Sequence, residues 1–305
     1  MLDITVCILS YNRLGYLREA VASVLSQIDD PRKVVIFDNA SNPGVREGVQ
    51  DFLDIGVIWV GADVNHPFIW NFERALQGGG ERKFTVLMHD DDRLCLDFIE
   101  NQIRLLNADS NLVAVSCNGY LIDELGNRTG ATLAPIKNVS EIELYKSSGQ
   151  VALKYAGSSC IPFSPTVYRT DIARGVKMRA CFGKVCDAVY FCDLAEIGVI
   201  AYQVAPLYEC RVHSGQDSSH FPYDLMNELE TFFWTRNCES EAERSTLHGL
   251  LVRQHTARNI RQMIVAVRSN DFSMFKTLWK DRRFKVVEVA IVVWAWLSRR
   301  IFGGR

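Results

Sequence analysis

The chain has 305 residues, of which 48% are hydrophobic and 23% are charged. These proportions are those of a globular protein and exclude a disordered or low-complexity chain. At this length the chain can bury a full core, in one large domain or in one domain with an appendage. The nine cysteines are scattered without a CxxC pair, so we expect reduced thiols rather than a zinc module or a disulfide framework.

Charge is distributed unevenly along the chain, although the net charge is only −2. Residues 251–305 carry 12 Lys and Arg against 3 Asp and Glu, whereas the rest of the chain is acidic. This basic segment predicts an anionic partner, with a membrane surface as the first candidate. Nucleic acid is not expected as a partner, because no nucleic-acid-binding motif accompanies the charge.

The amino terminus leads directly into an apolar run, without the basic region of a signal peptide, so we expect a cytoplasmic protein. Residues 4–9 and 33–37 are near-continuous apolar runs, typical of strands buried on both faces of a parallel sheet. Further strand-like runs follow at 57–60 and 84–88, and helix patterns separate the four. This alternation predicts an α/β fold with a doubly wound, mostly parallel sheet.

Polar residues follow three of the predicted strands at the point where each strand ends. They are 10–13 after the first strand, 38–41 after the second and 90–92 after the fourth. Ligands bind beyond the carboxyl ends of the strands in such sheets, so we expect these residues to form one site. Residues 90–92 are three consecutive aspartates, which repel one another unless a cation such as Mg²⁺ or Mn²⁺ offsets their charge. A solvated acidic turn is the alternative explanation.

No glycine-rich phosphate-binding loop accompanies these residues. Neither GxGxxG nor GxxxxGK[ST] occurs in the chain, which argues against a dinucleotide-binding Rossmann domain and against a P-loop NTPase. A nucleotide bound at this edge of the sheet would therefore need a metal ion to neutralise most of its phosphate charge. The three aspartates would supply the ligands of that ion.

The motifs at the strand ends resemble those of family 2 glycosyltransferases of the GT-A fold. The resemblance implies a GT-A catalytic domain over residues 1–220, which binds a nucleotide-diphospho-sugar donor, and a helical C-terminal region over residues 221–305. Six segments in the family's order carry the resemblance: 8–13, 35–41, 89–92, 166–169, 186–195 and 208–218.

The C-terminal region contains a second candidate partner surface. Residues 285–302 are apolar over most of their length, yet too short to span a bilayer. Trp294 and Trp296, followed by Arg299 and Arg300, are typical of a segment that lies at a membrane interface. Docking on protein, within the chain or in an oligomer, is the alternative.

The resemblance also assigns roles to individual residues. Tyr11 packs on the nucleotide base, and Asp38 accepts a hydrogen bond from a uracil-type N3–H, which favours UDP or dTDP; a loop cap is the alternative role of Asp38. Asp90 lies near the ribose or its phosphate, Arg211 pairs with phosphate, and Asn71 lines the sugar pocket. Trp70 is a second candidate for that pocket, although we expect it to pack in the core. The donor-binding residues implied in this way are Ser10, Tyr11, Asn12, Arg13, Asp38, Asn71, Asp90 and Arg211.

The same resemblance implies a metal site for Mn²⁺ or Mg²⁺. Its ligands are Asp91 and Asp92, completed by the imidazole of His213. The family's DxD motif can be aligned in two ways. One alignment runs through Asp91 and Asp92 and puts His89 at the first acidic position, and the other runs through Asp90 and Asp92.

Asp187 is the implied general base. Inverting sugar transfer needs a carboxylate to take the proton of the acceptor hydroxyl as its oxygen attacks the anomeric carbon. Asp187 opens a predicted helix, so an N-cap is its alternative role. Cys186 stands where the family has a glutamate, which puts the orientation of the base in question.

The implied function is metal-dependent, inverting transfer of a sugar to a saccharide or polyprenyl-linked acceptor in surface polysaccharide biosynthesis. A peripheral position at the inner face of the cytoplasmic membrane would suit such an acceptor. A sugar-nucleotide nucleotidyltransferase is one alternative, although residues 10–13 offer one Arg and no glycine run. A non-catalytic sugar-binding module is the other.

Overall fold

The computed structural model describes residues 2–136, 138–157, 159–215 and 223–269. The strands in these residues are β1 Ile4–Ser10, β2 Val34–Asp38, β3 Ile58–Val60, β4 Phe84–His89, β5 Arg93–Leu94, β6 Leu112–Ile122, β7 Arg128–Thr132, β8 Ile142–Tyr145, β9 Thr166–Arg169 and β10 Val199–Arg211. The α-helices are α1 Leu14–Leu25, α2 Pro43–Glu47, α3 Gln50–Asp54, α4 Phe68–Gly78, α5 Phe98–Ala108, α6 Ser148–Ala156, α7 Thr170–Gly175, α8 Cys186–Ala195, α9 Tyr223–Trp234 and α10 Glu241–Arg268.

One sheet runs through the molecule in the order β3-β2-β1-β4-β9-β6-β10-β5, with β7 paired to β6 and β8 to β10. The first four strands in this order are parallel, which confirms the predicted α/β fold with a doubly wound sheet. In contrast, β9 is antiparallel to both β4 and β6, so the sheet is mixed beyond β4.

Alternate side chains of β1 enter two different cores, one on each face of the sheet. Val6 and Ile8 pack with Leu17 of α1, whereas Cys7 packs with Phe72 of α4. A strand covered on both faces needs apolar residues at every position, which explains the near-continuous apolar run in its sequence.

Strand register brings the predicted site residues to one edge. Ser10, the last residue of β1, pairs with Asp38 at the end of β2. On the other side of β1, Leu9 pairs with His89 at the end of β4. The polar segments that follow β1, β2 and β4 therefore begin side by side.

The C-terminal helices α9 and α10 confirm the predicted helical extension as far as Arg268. Phe233 and Leu251 share a hydrophobic core with Ala152 of α6 and Leu194 of α8, so the extension packs against the domain that precedes it. The predicted interface segment 285–302 lies outside the described residues, and the boundary at 220 stays a prediction. Among the described helices, none has the length and apolar character needed to cross a membrane.

Candidate active site

The three aspartates after β4 are buried rather than solvated. Asp90, Asp91 and Asp92 are all more than nine-tenths buried at the carboxyl edge of the parallel strands. Burial and the negative charge of Asp91 raise the pKa of Asp90 to about 7, although Arg13 opposes this shift. Burial and the charge of Asp91 also raise the pKa of Asp92 well above its usual value. Because ionised carboxylates are costly to bury, this turn has a deficit of positive charge.

Arg13, in the loop after β1, supplies part of the missing positive charge. The Arg13 Nη1 atom lies 3.0 Å from Asp90 Oδ1 and 3.4 Å from Asp91 Oδ2. The backbone N–H of Tyr11 donates to Asp90 Oδ2 at 2.9 Å. Asp90 is therefore held by the 10–13 loop, and Arg13 of this loop also contacts Asp91.

His89, Asp91 and Asp92 form a group whose ligand atoms all lie within 4.8 Å of one another. Burial lowers the pKa of His89, so its ring is neutral at pH 7 and carries a lone pair. Burial acts to raise the pKa of Asp91, but His89, the hydrogen bond with His213 and Arg13 bring it below its usual value. One imidazole and two carboxylates with excess negative charge fit a divalent cation such as Mn²⁺.

The sequence predicted His213 as a metal ligand and did not predict His89. His213 Nε2 lies 3.0 Å from Asp91 Oδ2, so the ring supports the carboxylate and lies beside the group of three. A histidine at a strand end has no spacing signal that separates a ligand from a packed side chain. The one indication that His89 could be a ligand was the alignment that puts it at the first acidic position.

Arg211, predicted to pair with phosphate, is buried among protein acceptors. Its side chain is 0% exposed, and its guanidinium donates from Nη2 to Glu19 Oε2 at 2.6 Å and from Nε to the carbonyl oxygen of Asp91 at 2.9 Å. Its backbone N–H donates to Asp92 Oδ1 at 3.2 Å. These contacts tie the Arg211 side chain to α1 and to the main chain of the acidic turn, and its pairing with a donor phosphate stays a prediction.

Asn71, predicted to line the sugar pocket, has hydrogen-bond partners within the protein. It is buried, donates to the carbonyl oxygen of Phe37 at 2.9 Å and accepts from Arg74 Nη2 at 2.8 Å. These bonds fix α4 to the end of β2. Trp70, expected in the core, is partly exposed and stacks on His66 with ring centroids 3.8 Å apart.

The remaining donor-site candidates lie in two loops that are tied together. Asn12 has a left-handed backbone, its N–H donates to Ser41 Oγ at 2.8 Å, and its side chain accepts from the N–H of Asn42 at 2.9 Å. Asp38 is buried and accepts from the backbone N–H and the hydroxyl of Ser41. Tyr11 is 41% exposed, which leaves a ring face open beside these loops.

Ser10 is buried, and its hydroxyl has no hydrogen-bond partner among the described residues. Since buried polar groups are nearly always paired, this hydroxyl at the end of β1 is a candidate to form a hydrogen bond with a ligand.

Asp187 lies in the first turn of α8 and is partly exposed. Burial by the surrounding protein raises its pKa to about 6. Cys186 points the other way, fully buried with its Sγ 3.8 Å from Met178 Sδ. Within the described ranges no hydrogen bond or ion pair joins Asp187 to the acidic turn, so the two form separate parts of the candidate site.

Two solved structures similar to this chain share its fold along most of their length. The S. aureus TarS 1–349 fragment in complex with UDP-GlcNAc is 13% identical and has a TM-score of 0.61, with 92% of each chain covered. The mannosyltransferase PcManGT from Pyrobaculum calidifontis, in complex with GDP-Man and Mn²⁺, is 14% identical with a TM-score of 0.55, covering 99% of this chain and 88% of its own. At these identities the likeness shows the fold, which is GT-A.

No curated protein matches the chain in sequence. The family model for glycosyl transferase family 2 matches residues 5–175, which is more than half of the chain. The chain therefore belongs to glycosyl transferase family 2, as its motifs predicted, and it is a glycosyltransferase. The matched range includes the loops after β1 and β2 and the whole acidic turn.

Glu19 is a residue of this site that sequence reasoning missed. Its Oε2 atom accepts from Arg211 Nη2 and, at 3.2 Å, from Arg93 Nη1, although the side chain is 41% exposed. On the sequence it is one polar residue on the outer face of α1, and nothing marks it as the partner of a buried arginine 192 residues away.

We expect Glu19→Ala to lower the free energy of unfolding by about 1–3 kcal/mol, less than for a fully buried pair because Glu19 is partly solvated. The loss arises because the buried guanidinium of Arg211 no longer has this carboxylate. Denaturant unfolding measures the change. Glu47→Ala is the control, since Glu47 is exposed on α2, and it should change stability by less than about 0.5 kcal/mol. Equal effects of the two substitutions would contradict the role given to Glu19.

Proposed function

We propose that the chain is a metal-dependent inverting glycosyltransferase that moves a sugar from a UDP- or dTDP-linked donor to a saccharide or polyprenyl-linked acceptor. The observation that carries this proposal is the group of partly buried His89 and buried Asp91 and Asp92. It lies at the sheet edge where the loops after β1 and β2 also begin. Two similar structures support it by analogy: TarS in complex with UDP-GlcNAc, and PcManGT in complex with GDP-Man and Mn²⁺. Surface polysaccharide biosynthesis at the inner face of the cytoplasmic membrane is the proposed setting.

The loops after β1 and β2 would hold the nucleoside. The open face of Tyr11 would stack on the base, as aromatic side chains do with bases generally. Asp38 keeps lone pairs beyond its bonds to Ser41, so it can accept from a base N3–H, which favours uracil or thymine. Ser10 and Asn12 would contact the ribose from the end of β1.

The metal would be held by His89, Asp91 and Asp92, with His213 supporting Asp91 through their hydrogen bond. A divalent cation at this place offsets the charge that grows on the departing diphosphate. Asp90 and Arg13 complete the phosphate side of the site. The Arg13 guanidinium is one-third exposed beside both carboxylates, so part of it remains accessible to a phosphate oxygen.

Asp187 would accept the proton of the acceptor hydroxyl. A carboxylate with a pKa near 6 is ionised at pH 7 and is a stronger base than an ordinary aspartate. The first turn of α8 holds Asp187 at a partly exposed position, where an acceptor would approach it from solvent. Because Cys186 points into the core, the family's glutamate has no counterpart beside Asp187, and the base is oriented by backbone N–H groups of α8.

Calorimetric titration of the full chain with UDP, dTDP, GDP and ADP, with and without Mn²⁺, tests the donor proposal. We expect Mn²⁺-dependent binding of UDP or dTDP, weakened at least about tenfold in Asp92→Asn, because a ligand of the metal is lost. Asp224→Asn, an exposed aspartate in the first turn of α9, is the control and should bind as the wild type does. Binding of none of the four nucleotides would contradict the proposal, and Mn²⁺-dependent binding of GDP alone would overturn the roles given to Tyr11 and Asp38.

Release of the nucleoside diphosphate from the donor identified in this way measures the role of Asp187. Since protonated Asp187 cannot take a proton, kcat/KM should fall about tenfold per pH unit below pH 6 and level off above it. Asp187→Asn should lower kcat by about 10²-fold or more and remove this inflection. Asp193→Asn, in the same helix, is the control and should retain both the wild-type kcat and the inflection near pH 6. Full activity of Asp187→Asn would favour a different base or a non-catalytic sugar-binding module.

A further inference from the structure

A cavity of about 370 Å³ lies at the opposite end of the sheet from the candidate active site. It opens where the first residue of β4, Phe84, pairs with the last residue of β9, Arg169. Since β4 rises by roughly 3.3 Å per residue, the cavity and His89 are separated by roughly 17 Å along this strand. The lining residues are Glu81, Arg82, Lys83, Arg169, Thr170, Asp171 and Arg174.

Two guanidinium groups are fixed in the wall of this cavity by main-chain carbonyls. Arg169 donates from Nε to the carbonyl oxygen of Leu112 at 2.6 Å and from Nη2 to that of Asp109 at 3.0 Å. Arg174 donates from Nε to the carbonyl oxygen of Leu76 at 2.9 Å. Most of these carbonyls lie at the C-terminal ends of α4 and α5, which lack helical donors. The Nη1 atom of each arginine has no hydrogen-bond partner within the described part of the chain, so one edge of each guanidinium stays free.

Arg82 and Lys83 add two more positive charges to the same cavity. Lys83 Nζ donates to Asn107 Oδ1 at 2.9 Å, which holds the ammonium near the wall without neutralising it. Glu81 and Asp171 also line the cavity, yet among the described residues no ion pair joins either carboxylate to one of the four basic side chains. The cavity is therefore lined by four basic side chains, none of them paired with a carboxylate of the lining. This pattern is typical of an anion site.

We propose that this cavity binds a phosphate group, either of a free phosphate compound or of a lipid headgroup. Guanidinium edges match the oxygens of a phosphate and hold it through charge-assisted hydrogen bonds. Because Arg169 and Arg174 are already fixed by the carbonyls, little side-chain freedom is lost when an anion arrives. The cavity lies at the far end of β4 from the acidic turn, so it would take a phosphate other than that of the donor.

Direct binding measurements on the full chain test this proposal. Inorganic pyrophosphate is titrated by calorimetry in EDTA, so that no metal ion supports binding at the acidic turn. In a second arm, phosphatidylcholine vesicles with and without phosphatidic acid are sedimented with the protein. Each arm compares the double variant Arg82→Ala/Lys83→Ala with the control Arg46→Ala/Lys146→Ala, which removes the same two charges from exposed positions elsewhere.

Loss of two charge-assisted hydrogen bonds should weaken phosphate binding at least about tenfold in the double variant and leave the control unchanged. A difference confined to the pyrophosphate arm would identify a free phosphate compound, and one confined to phosphatidic acid vesicles would identify a lipid headgroup. Equal binding of the double variant and the control in both arms, or no binding of either ligand by the wild type, would overturn the proposal. Neither outcome depends on sugar transfer, so the proposed function is tested separately.

Discussion

The buried guanidinium of Arg211 is the interaction on which the candidate active site depends. A buried charge is stable only when it is paired and hydrogen-bonded, and Arg211 meets this condition by joining α1, through Glu19, to the main chain of the acidic turn. Arg211 adds to the pairing of β10 with β5, so the end of β10 is fixed to the segment after β4, although β9 and β6 separate β4 from β10 in the sheet. The carboxylates of Asp91 and Asp92 are consequently held in place before any ligand binds, which is the preorganisation that catalytic sites require.

The same arrangement leaves the acidic turn with too little positive charge. Arg13 offsets part of the charge on Asp90 and Asp91, and His213 donates to the Asp91 carboxylate, yet the pKa of Asp92 stays well above its usual value. A divalent cation beside Asp92 would restore its ionised form, which explains why a fold would bury three adjacent carboxylates at the end of a central strand. The second charged region, the cationic cavity at the other end of β4, has the opposite excess. One strand thus connects a site suited to a cation with a site suited to a phosphate.

The sequence predicted those parts of the fold that depend on local pattern. Apolar runs identified β1, β2 and β4, and the edge where ligands bind followed from their parallel order. The antiparallel insertion of β9 was not predicted, because the pairing partner and direction of a strand depend on distant residues. The roles of Asn71 and Arg211 stay predictions for a similar reason: a polar residue in a functional motif can face the ligand or the protein interior, and only the packing of the surrounding elements decides which. Glu19 carried no spacing signal at all, since its partners Arg93 and Arg211 lie in other elements.

The central claim is that Arg211 fixes Asp91 and Asp92 and that these two carboxylates form a cation site with His89. Anomalous diffraction from crystals grown with Mn²⁺ and UDP tests it most directly. The account predicts an anomalous peak in direct contact with the side chains of His89, Asp91 and Asp92, with Arg211 still bonded to Glu19 and to the carbonyl oxygen of Asp91. A Mn²⁺ ion bound elsewhere, or bound by Asp90 with His89 and Asp92 left free, would contradict it.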